Sequence, residues 1–229
     1  RRFLCAAALA AAFALGLAGT ALAADRMWTG GAADPKKWNE AGNWDNGVPG
    51  TSDTAVFPKG AEITDLGGAV TVNELKFTGD ATLTLKDAAH AMTVKKITVE
   101  AGKVAVVDNA GDDEKLVVDN GTDASPIEVG EDAQLTLRNK KIKGRNTATK
   151  NLVLTGKGTL VLEAQVTEIE DLKITEGGTL IFNNHGDMPN FSGSEVVIEN
   201  GNLTLNKNLK PDIKTITVTN GVLTVADAG

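Results

Sequence analysis

The sequence is poor in the residues that build disulfide-bonded folds and many enzyme sites. Its 229 residues hold one cysteine, two histidines and no tyrosine, and aromatic residues make up 4% of the chain. A lone Cys5 excludes the internal disulfides on which small secreted eukaryotic domains commonly depend. The shortage of aromatics leaves a core of Leu, Val and Ile, which are residues that favour β-strands.

An excess of positive charge is also lacking. The formal net charge is −7, and because residues 1–24 carry two arginines and no acid, the chain without them has a charge of −9. So acidic a protein repels nucleic acid and anionic membranes. We therefore expect no nucleic-acid partner. No dinucleotide or phosphate-binding fingerprint is present, and we expect no cofactor.

Residues 1–24 have the parts of a secretory signal peptide. Two arginines give a positive start, residues 3–17 form an alanine-rich apolar run, and Ala-Leu-Ala at 21–23 supplies a cleavage site. A transmembrane helix needs about 20 apolar residues, and this run is shorter. With a cysteine-free remainder, the pattern predicts a bacterial exported protein, extracellular or associated with the outer membrane, whose mature chain does not span a membrane.

Beyond residue 68 the chain repeats one phrase: a turn, then apolar, polar and apolar residues. Recurrence at 20 to 31 residues is typical of a solenoid, in which each unit buries its apolar side against its neighbours. The first apolar residue of each copy is Leu83, Val104, Leu135, Leu160, Leu180, Leu203 or Leu223.

Strand-like runs before the phrase complete each coil. The first coil has runs at 70–72, 75–77 and 83–85, and the second at 92–94, 97–99 and 104–106. Side chains alternate in every run, as in a strand with one buried face. Residues 107–129 and 138–151 are predicted to hold insertions.

This pattern predicts an all-β protein, a right-handed parallel β-helix of about seven irregular coils with a Trp-rich N-terminal cap. The hand follows the usual chirality of strand crossovers. A sandwich of antiparallel hairpins is the competing fold, since four Asn-Gly pairs suit hairpin turns. We divide the chain into a signal peptide at 1–24, a capping segment at 25–68 and β-helix repeats at 69–229, and expect a further C-terminal domain.

All three tryptophans lie shortly after the signal peptide. The order is Trp28-Thr29-Gly30, Trp38, Asn43-Trp44, Gly47-Val48-Pro49 and Asp53-Thr54-Ala55-Val56-Phe57. It resembles the opening of bacterial autotransporter passenger domains and related extracellular proteins with autotransporter-associated β-strand repeats. The resemblance covers the whole chain after residue 24 and implies a β-helix displayed at the cell surface.

Two roles are open for Trp28, Trp38 and Trp44. As a cap, their large rings cover the apolar end of the first coil, while Asn43 and Asp53 hold turns by bonding nearby backbone. As a ligand site, exposed indoles stack on sugar rings, which would make the segment a carbohydrate-binding module.

The acids do not form an evident catalytic or metal site. Polysaccharide lyases with a β-helix need clustered carboxylates for calcium and a nearby base, and glycosidases need a carboxylate pair. The acids here fall mostly at bends and have no basic partner recurring one coil away; they are Asp112, Asp113, Glu114, Glu131, Asp132, Glu168, Glu170 and Asp171. His90 and His185 lie about four coils apart. We expect no catalytic residue and no metal.

One basic cluster stands out on this acidic chain. Six basic residues fall within thirteen positions, with no acid among them: Arg138, Lys140, Lys141, Lys143, Arg145 and Lys150. We expect a loop that projects from the coils, either simply solvated or binding an anionic surface glycan.

The sequence thus predicts a non-enzymatic exported surface protein, similar to an autotransporter passenger and serving as an adhesion or presentation scaffold. Its partners would be host or bacterial surface glycans or proteins. The alternatives are a carbohydrate-active β-helix enzyme, lyase-like or glycosidase-like, and the carbohydrate-binding module.

Overall fold

The chain is built almost wholly of β-strands. The computed structural model describes residues 23–109, 116–121, 125–146, 151–167, 171–183, 195–206 and 215–226. Those residues hold one 3-10 helix, Ala41–Asn43, and eighteen strands. The strands are β1 Asp25–Met27, β2 Thr54–Phe57, β3 Ala61–Ile63, β4 Val70–Phe77, β5 Ala81–Leu85, β6 Met92–Val99, β7 Val104–Asn109, β8 Leu116–Gly121, β9 Ser125–Val129, β10 Gln134–Asn146, β11 Asn151–Thr155, β12 Thr159–Thr167, β13 Asp171–Ile174, β14 Thr179–Asn183, β15 Glu195–Glu199, β16 Asn202–Asn206, β17 Thr215–Thr219 and β18 Val222–Ala226.

The strands stack in three parallel ladders, one for each side of the coil. Ladder 1 contains β1, β2, β9, β11, β13, β15, β17 and the second halves of β4 and β6. Ladder 2 contains β3, β5, β7, β14, β16, β18 and the first halves of β10 and β12. Ladder 3 contains the first halves of β4 and β6, then β8 and the second halves of β10 and β12.

Alternation along each strand places one set of side chains in the core. On ladder 1, Leu75 pairs with Ile97 and Ile97 with Ile127, and all three are fully buried. Burying an aliphatic side chain of this size contributes about 1.5–3 kcal/mol. Identical rows recur at every coil, so the core is a continuous aliphatic column in which each coil covers the next.

The parallel β-solenoid is therefore confirmed, and the antiparallel sandwich is wrong. Every pairing between the named strands is parallel. Within the described ranges about five turns have a strand in all three ladders, slightly fewer than the seven predicted. The right hand stays a prediction.

The repeat phrase is in register over its last five copies but not over its first two. Leu135, Leu160, Leu180, Leu203 and Leu223 form one row of ladder 2. The row continues through the alanines Ala105 and Ala81, whereas the prediction used Val104 and Leu83. Val104 is 47% exposed and Ala105 is fully buried. Residues 104–107 are all apolar, so both faces of this strand look equally suited to the core. The sequence pattern alone therefore does not decide which face is buried.

The two predicted insertions are mostly ordinary coil strands. Within residues 107–129, β8 continues ladder 3 and β9 continues ladder 1. Within residues 138–151, β10 does not form a projecting loop but runs on to Asn146, with Ile142 in register with Leu116 and Val166. The loop prediction failed because this part of β10 carries one large apolar residue, Ile142, where β4, β6 and β8 carry two or more on ladder 3.

Most glycines of the repeat phrase lie where the corner between ladders 1 and 2 leaves no space for a Cβ. A Cβ on Gly201 would lie 2.8 Å from the carbonyl oxygen of Gly178, and one on Gly221 would lie 2.4 Å from that of Gly201. The corner residues bond along the stack, since the Val222 N–H donates to the Gly201 carbonyl at 3.0 Å. Close approach of successive coils thus requires glycine at these positions, whereas at Gly102 and Gly177 the reason is a positive φ of 67° and 87°.

Candidate functional site

The three tryptophans pack together over the first coil. Ring centroids lie 4.9 Å apart for Trp28 and Trp44 and 4.7 Å apart for Trp38 and Trp44, both pairs meeting edge to face. Phe57 of β2 lies 6.0 Å from Trp28 and stacks on Phe77 of the next coil. Trp44 Nε1 also donates to the Trp38 carbonyl at 2.8 Å. No indole is more than 4% exposed. Since a sugar ring stacks only on an exposed face, the arrangement agrees with a cap and not with sugar stacking.

A buried asparagine holds the loop that carries these indoles. Asn43 is fully buried, and its Nδ2 donates to the carbonyls of Asp34 and Lys37 at 2.8 and 2.9 Å. Its Oδ1 accepts from the Ala32 N–H at 3.0 Å. Each of its polar side-chain atoms is thus paired, which avoids the cost of a buried unsatisfied amide.

Asp53 ties the first strand to the turn before β2. Its carboxylate accepts from the N–H groups of Ala24 at 3.0 Å and Gly50 at 2.9 Å. Arg26 Nε lies 3.4 Å from Asp53 Oδ2, near enough for an ion pair. The Gly50 bond lowers the pKa of Asp53 against the opposing effect of burial, and Ala24 and Arg26 add to it. The prediction that Asn43 and Asp53 hold turns through backbone bonds is confirmed.

Asp87, which no sequence pattern had marked, ties the cap to the corner after β5. Its Oδ2 accepts from the Leu66 N–H at 2.7 Å, and its Oδ1 accepts from the Ala89 and His90 N–H groups at 2.7 and 2.9 Å. His90 Nδ1 lies 3.2 Å from Oδ2. Burial alone would raise the pKa of Asp87, but the three N–H bonds and the His90 ring outweigh it and lower the pKa to about 2.

Two open grooves mark the surface. One, of about 280 Å³, lies between the cap and the first coil and has Trp38 and Leu66 in its floor. The other, of about 440 Å³, follows the glycine corner and is lined by amides including Asn200, Asn202 and Asn220. No acid, base or thiol lines either groove, so neither brings together groups for acid–base or nucleophilic chemistry.

The outer faces carry ion pairs between neighbouring coils. On ladder 1, Lys76 pairs with Glu100 at 3.1 Å, and that hydrogen bond raises the pKa of Lys76. Glu62 of β3 pairs with Lys36 at 2.9 Å and with Lys86 at 3.2 Å, which lowers the pKa of Glu62 and links the capping segment to ladder 2. Such solvent-exposed pairs contribute little to stability, because water and salt screen the attraction.

The structure divides the predicted basic cluster. Arg138 lies on ladder 2, where its Nε is 2.8 Å from a carboxylate oxygen of Glu163 and its backbone is in register with Asp108. Lys141 and Lys143 lie around the corner on ladder 3, whereas Lys140 and Arg145 lie at shifts of the strand register. The side chains of these four residues lie outside the described part of the structure. Lys150 lies outside the described residues altogether.

The acids considered for catalysis are only partly described. Glu131 is exposed and pairs with Lys157 at 3.6 Å, and Asp132 occupies an exposed corner with a positive φ of 58°. The predictions on Asp112, Asp113, Glu114, Glu168, Glu170 and His185 fall outside the described residues. Among the residues that are described, no three His, Cys, Asp or Glu side chains gather as a metal ion requires.

The described residues contain no membrane-spanning helix, and the chain has no significant match among known proteins. In the described ranges no helix has the length and apolarity needed to span a membrane. Comparison of the chain with family models, curated proteins and solved structures gives no significant match. The autotransporter resemblance therefore stays a prediction drawn from the tryptophan-rich opening.

Proposed function

We propose that this chain is a non-enzymatic exported scaffold, displayed at a bacterial surface in the manner of an autotransporter passenger. Its outer faces would present binding sites to glycans or proteins outside the cell. The alternatives with an enzymatic role gain no support from Glu131, which pairs with Lys157, or from Asp132, which occupies an exposed corner.

The observation that carries the proposal is the capped stack. One end of the aliphatic column is closed by buried tryptophans directly after the signal-like residues 1–24. Each coil contacts only its neighbours, so such a rod holds side chains at fixed spacings without depending on a central pocket. A column of stacked coils with solvated outer faces is suited to presenting binding sites to other molecules.

Export is tested by expressing the chain with residues 1–24 in a Gram-negative host, beside a variant with Leu15→Arg. We expect the native leader to be removed after Ala23 or Ala24, giving a mature protein outside the cytoplasm, while the charge in the apolar run blocks export. Mass spectrometry of the N-terminus in each cell fraction measures both. A native chain that stays cytoplasmic with its leader intact would contradict the proposal.

Display and adhesion are tested on the mature protein. Beads coated with it should attach to particular elements of a surface-glycan or host-protein array more than beads coated with the same protein after heat denaturation. Equal attachment to every array element, or none, would remove the adhesion role while leaving export unaffected.

A further inference from the structure

The backbone nitrogen of Ala24 is bound by a carboxylate that is itself nearly buried. Asp53 is 7% exposed, and its Oδ1 accepts from the Ala24 N–H at 3.0 Å. The Ala24 carbonyl in turn accepts from the Thr54 N–H at 2.9 Å. Ala23, one position earlier, is exposed. Both backbone groups of Ala24 are therefore held by the start of β2 and the residue before it.

The two carboxylate oxygens of Asp53 have different partners. Oδ2 accepts from the Gly50 N–H at 2.9 Å and lies 3.4 Å from Arg26 Nε. The same guanidinium also donates through Nη1 to the Asn46 carbonyl. Among the described residues, Oδ1 accepts from Ala24 alone. Because a carboxylate oxygen can accept more than one hydrogen bond, Oδ1 has the capacity for a stronger donor at the position of the Ala24 nitrogen.

Removal of the predicted leader changes the chemistry of this nitrogen. Ala-Leu-Ala at 21–23 predicts cleavage after Ala23. Hydrolysis of that bond consumes one water, whose oxygen bonds to the carbonyl carbon of Ala23 and whose two protons go to the Ala24 nitrogen, which leaves as an ammonium. Cleavage one residue later would remove Ala24, and with it the partner of Asp53 Oδ1 and of the Thr54 N–H. The contacts therefore favour the earlier of the two cleavage positions.

We propose that Ala24 is the first residue of the processed protein and that the Asp53 carboxylate binds its new ammonium, which ties β1 to the turn before β2 once the leader is removed. A charge-assisted hydrogen bond of this kind is about twice as strong as one from a neutral N–H. The assignment rests on the proposed export. The experiment below makes the cut in vitro, so each proposal can fail without the other.

The charges around the site determine how the ammonium titrates. The elements next to the Ala24 nitrogen carry four acids and two bases: Asp25, Arg26, Asp45, Asp53, Glu74 and Lys76. Asp53 is in direct contact, so its attraction should outweigh the repulsion by Arg26 and raise the pKa of the Ala24 amine above its ordinary range of about 7.7–8.0. Because the folded pKa is then the higher one, the added stability is complete below the ordinary range and is lost as the pH rises through the folded pKa.

The test compares one protein before and after cleavage. Residues 1–23 are replaced by a tag whose protease leaves Ala24 first, so the uncut form has an amide there and the cut form an ammonium. Asp53→Asn is compared with the control Asp45→Asn, which changes an exposed aspartate that accepts from the Met27 N–H of β1 at 2.8 Å. Thermal unfolding at pH 6 and pH 10 measures stability, and NMR titration of the labelled Ala24 methyl group measures the pKa of the amine.

We expect cleavage to raise the melting temperature by about 2–4 °C at pH 6 and by clearly less at pH 10, where the amine is neutral. Asp45→Asn should keep this gain and Asp53→Asn should lose it. If Asp53→Asn does not fold, the titration of the native cut form decides, since the ion pair requires a pKa above about 8. A pKa within or below the ordinary range, a gain that persists at pH 10, or the same gain in Asp53→Asn would overturn the proposal. So would an exported protein whose first residue is Asp25.

Discussion

Replacing Asp87 by asparagine should uncouple the cap from the solenoid and do so in a pH-dependent way. The ordinary pKa of 3.8 falls to about 2 in the folded protein. A difference of nearly two pH units corresponds to about 2 kcal/mol of folding free energy at neutral pH. Because the folded pKa lies below the ordinary one, this stabilisation is complete above about pH 4 and is lost as the pH falls through 2. In the native protein a carboxylate oxygen of Asp87 accepts a hydrogen bond from the Leu66 N–H at 2.7 Å. The asparagine side chain also places an NH2 donor opposite this N–H.

The assay is urea unfolding of the native chain, Asp87→Asn and the control Asp132→Asn at pH 7, 4 and 2.5. We expect Asp87→Asn to lower the free energy of unfolding by about 2 kcal/mol at pH 7 and by clearly less at pH 2.5. Asp132 is exposed, so its variant should stay within about 0.5 kcal/mol of the native chain. A deficit for Asp87→Asn that is the same at all three pH values, or below about 0.5 kcal/mol at pH 7, would refute the coupling.

Three further substitutions test the cap, the corner and the register. Trp44→Ala should cost about 3–5 kcal/mol, because it empties a buried site beside two indoles and Phe57, and calorimetry measures the loss. Gly201→Ala should cost about 1–3 kcal/mol in urea unfolding because its Cβ meets backbone, while the control Gly50→Ala has only a 3.5 Å contact and should be near neutral. Ala105→Asp should prevent stable folding, whereas Val104→Asp on the exposed face should shift stability by less than about 0.5 kcal/mol, as circular dichroism melts would show. Equal losses for Gly201→Ala and Gly50→Ala would contradict the close backbone approach at the corner. Equal losses for Ala105→Asp and Val104→Asp would contradict the assignment of the buried face.

The fold was predictable because the phrase of a turn followed by apolar, polar and apolar residues recurs at the length of one coil. Leu135, Leu160 and Leu180 follow turns at coil length, and in the structure they share one row. Small residues carried no such signal. Ala81 and Ala105 complete that row, but alanine is common on both faces of a strand. The apolar pattern therefore favours Leu83, two residues after Ala81, and Val104, one residue before Ala105.

The cap was predictable in part. Three large aromatics at one end of an aliphatic chain indicate a covered end, and the role of Asn43 followed from its position before Trp44. Asp87 was missed because its main partner, the Leu66 N–H, lies 21 residues away along the chain. The bonds of Asp87 to the Ala89 and His90 N–H groups, two and three residues later, form an Asx-turn. Aspartate is a typical residue for such a turn, so this part of its role had a local signal in the sequence.

The central claim is that the strands of ladder 2 form one parallel stack from β5 to β18. A single row of ladder 2 alternates with the core residues and is exposed at both of its ends: Thr82, Val106, Thr136, Val161, Ile181, Thr204 and Thr224. Spin labels at Thr82→Cys and Thr224→Cys, in a Cys5→Ser background, test that row by pulsed electron resonance. Six strand spacings predict a narrow distance distribution centred near about 29 Å. A broad distribution, or a centre displaced by more than two strand spacings, would contradict the stack.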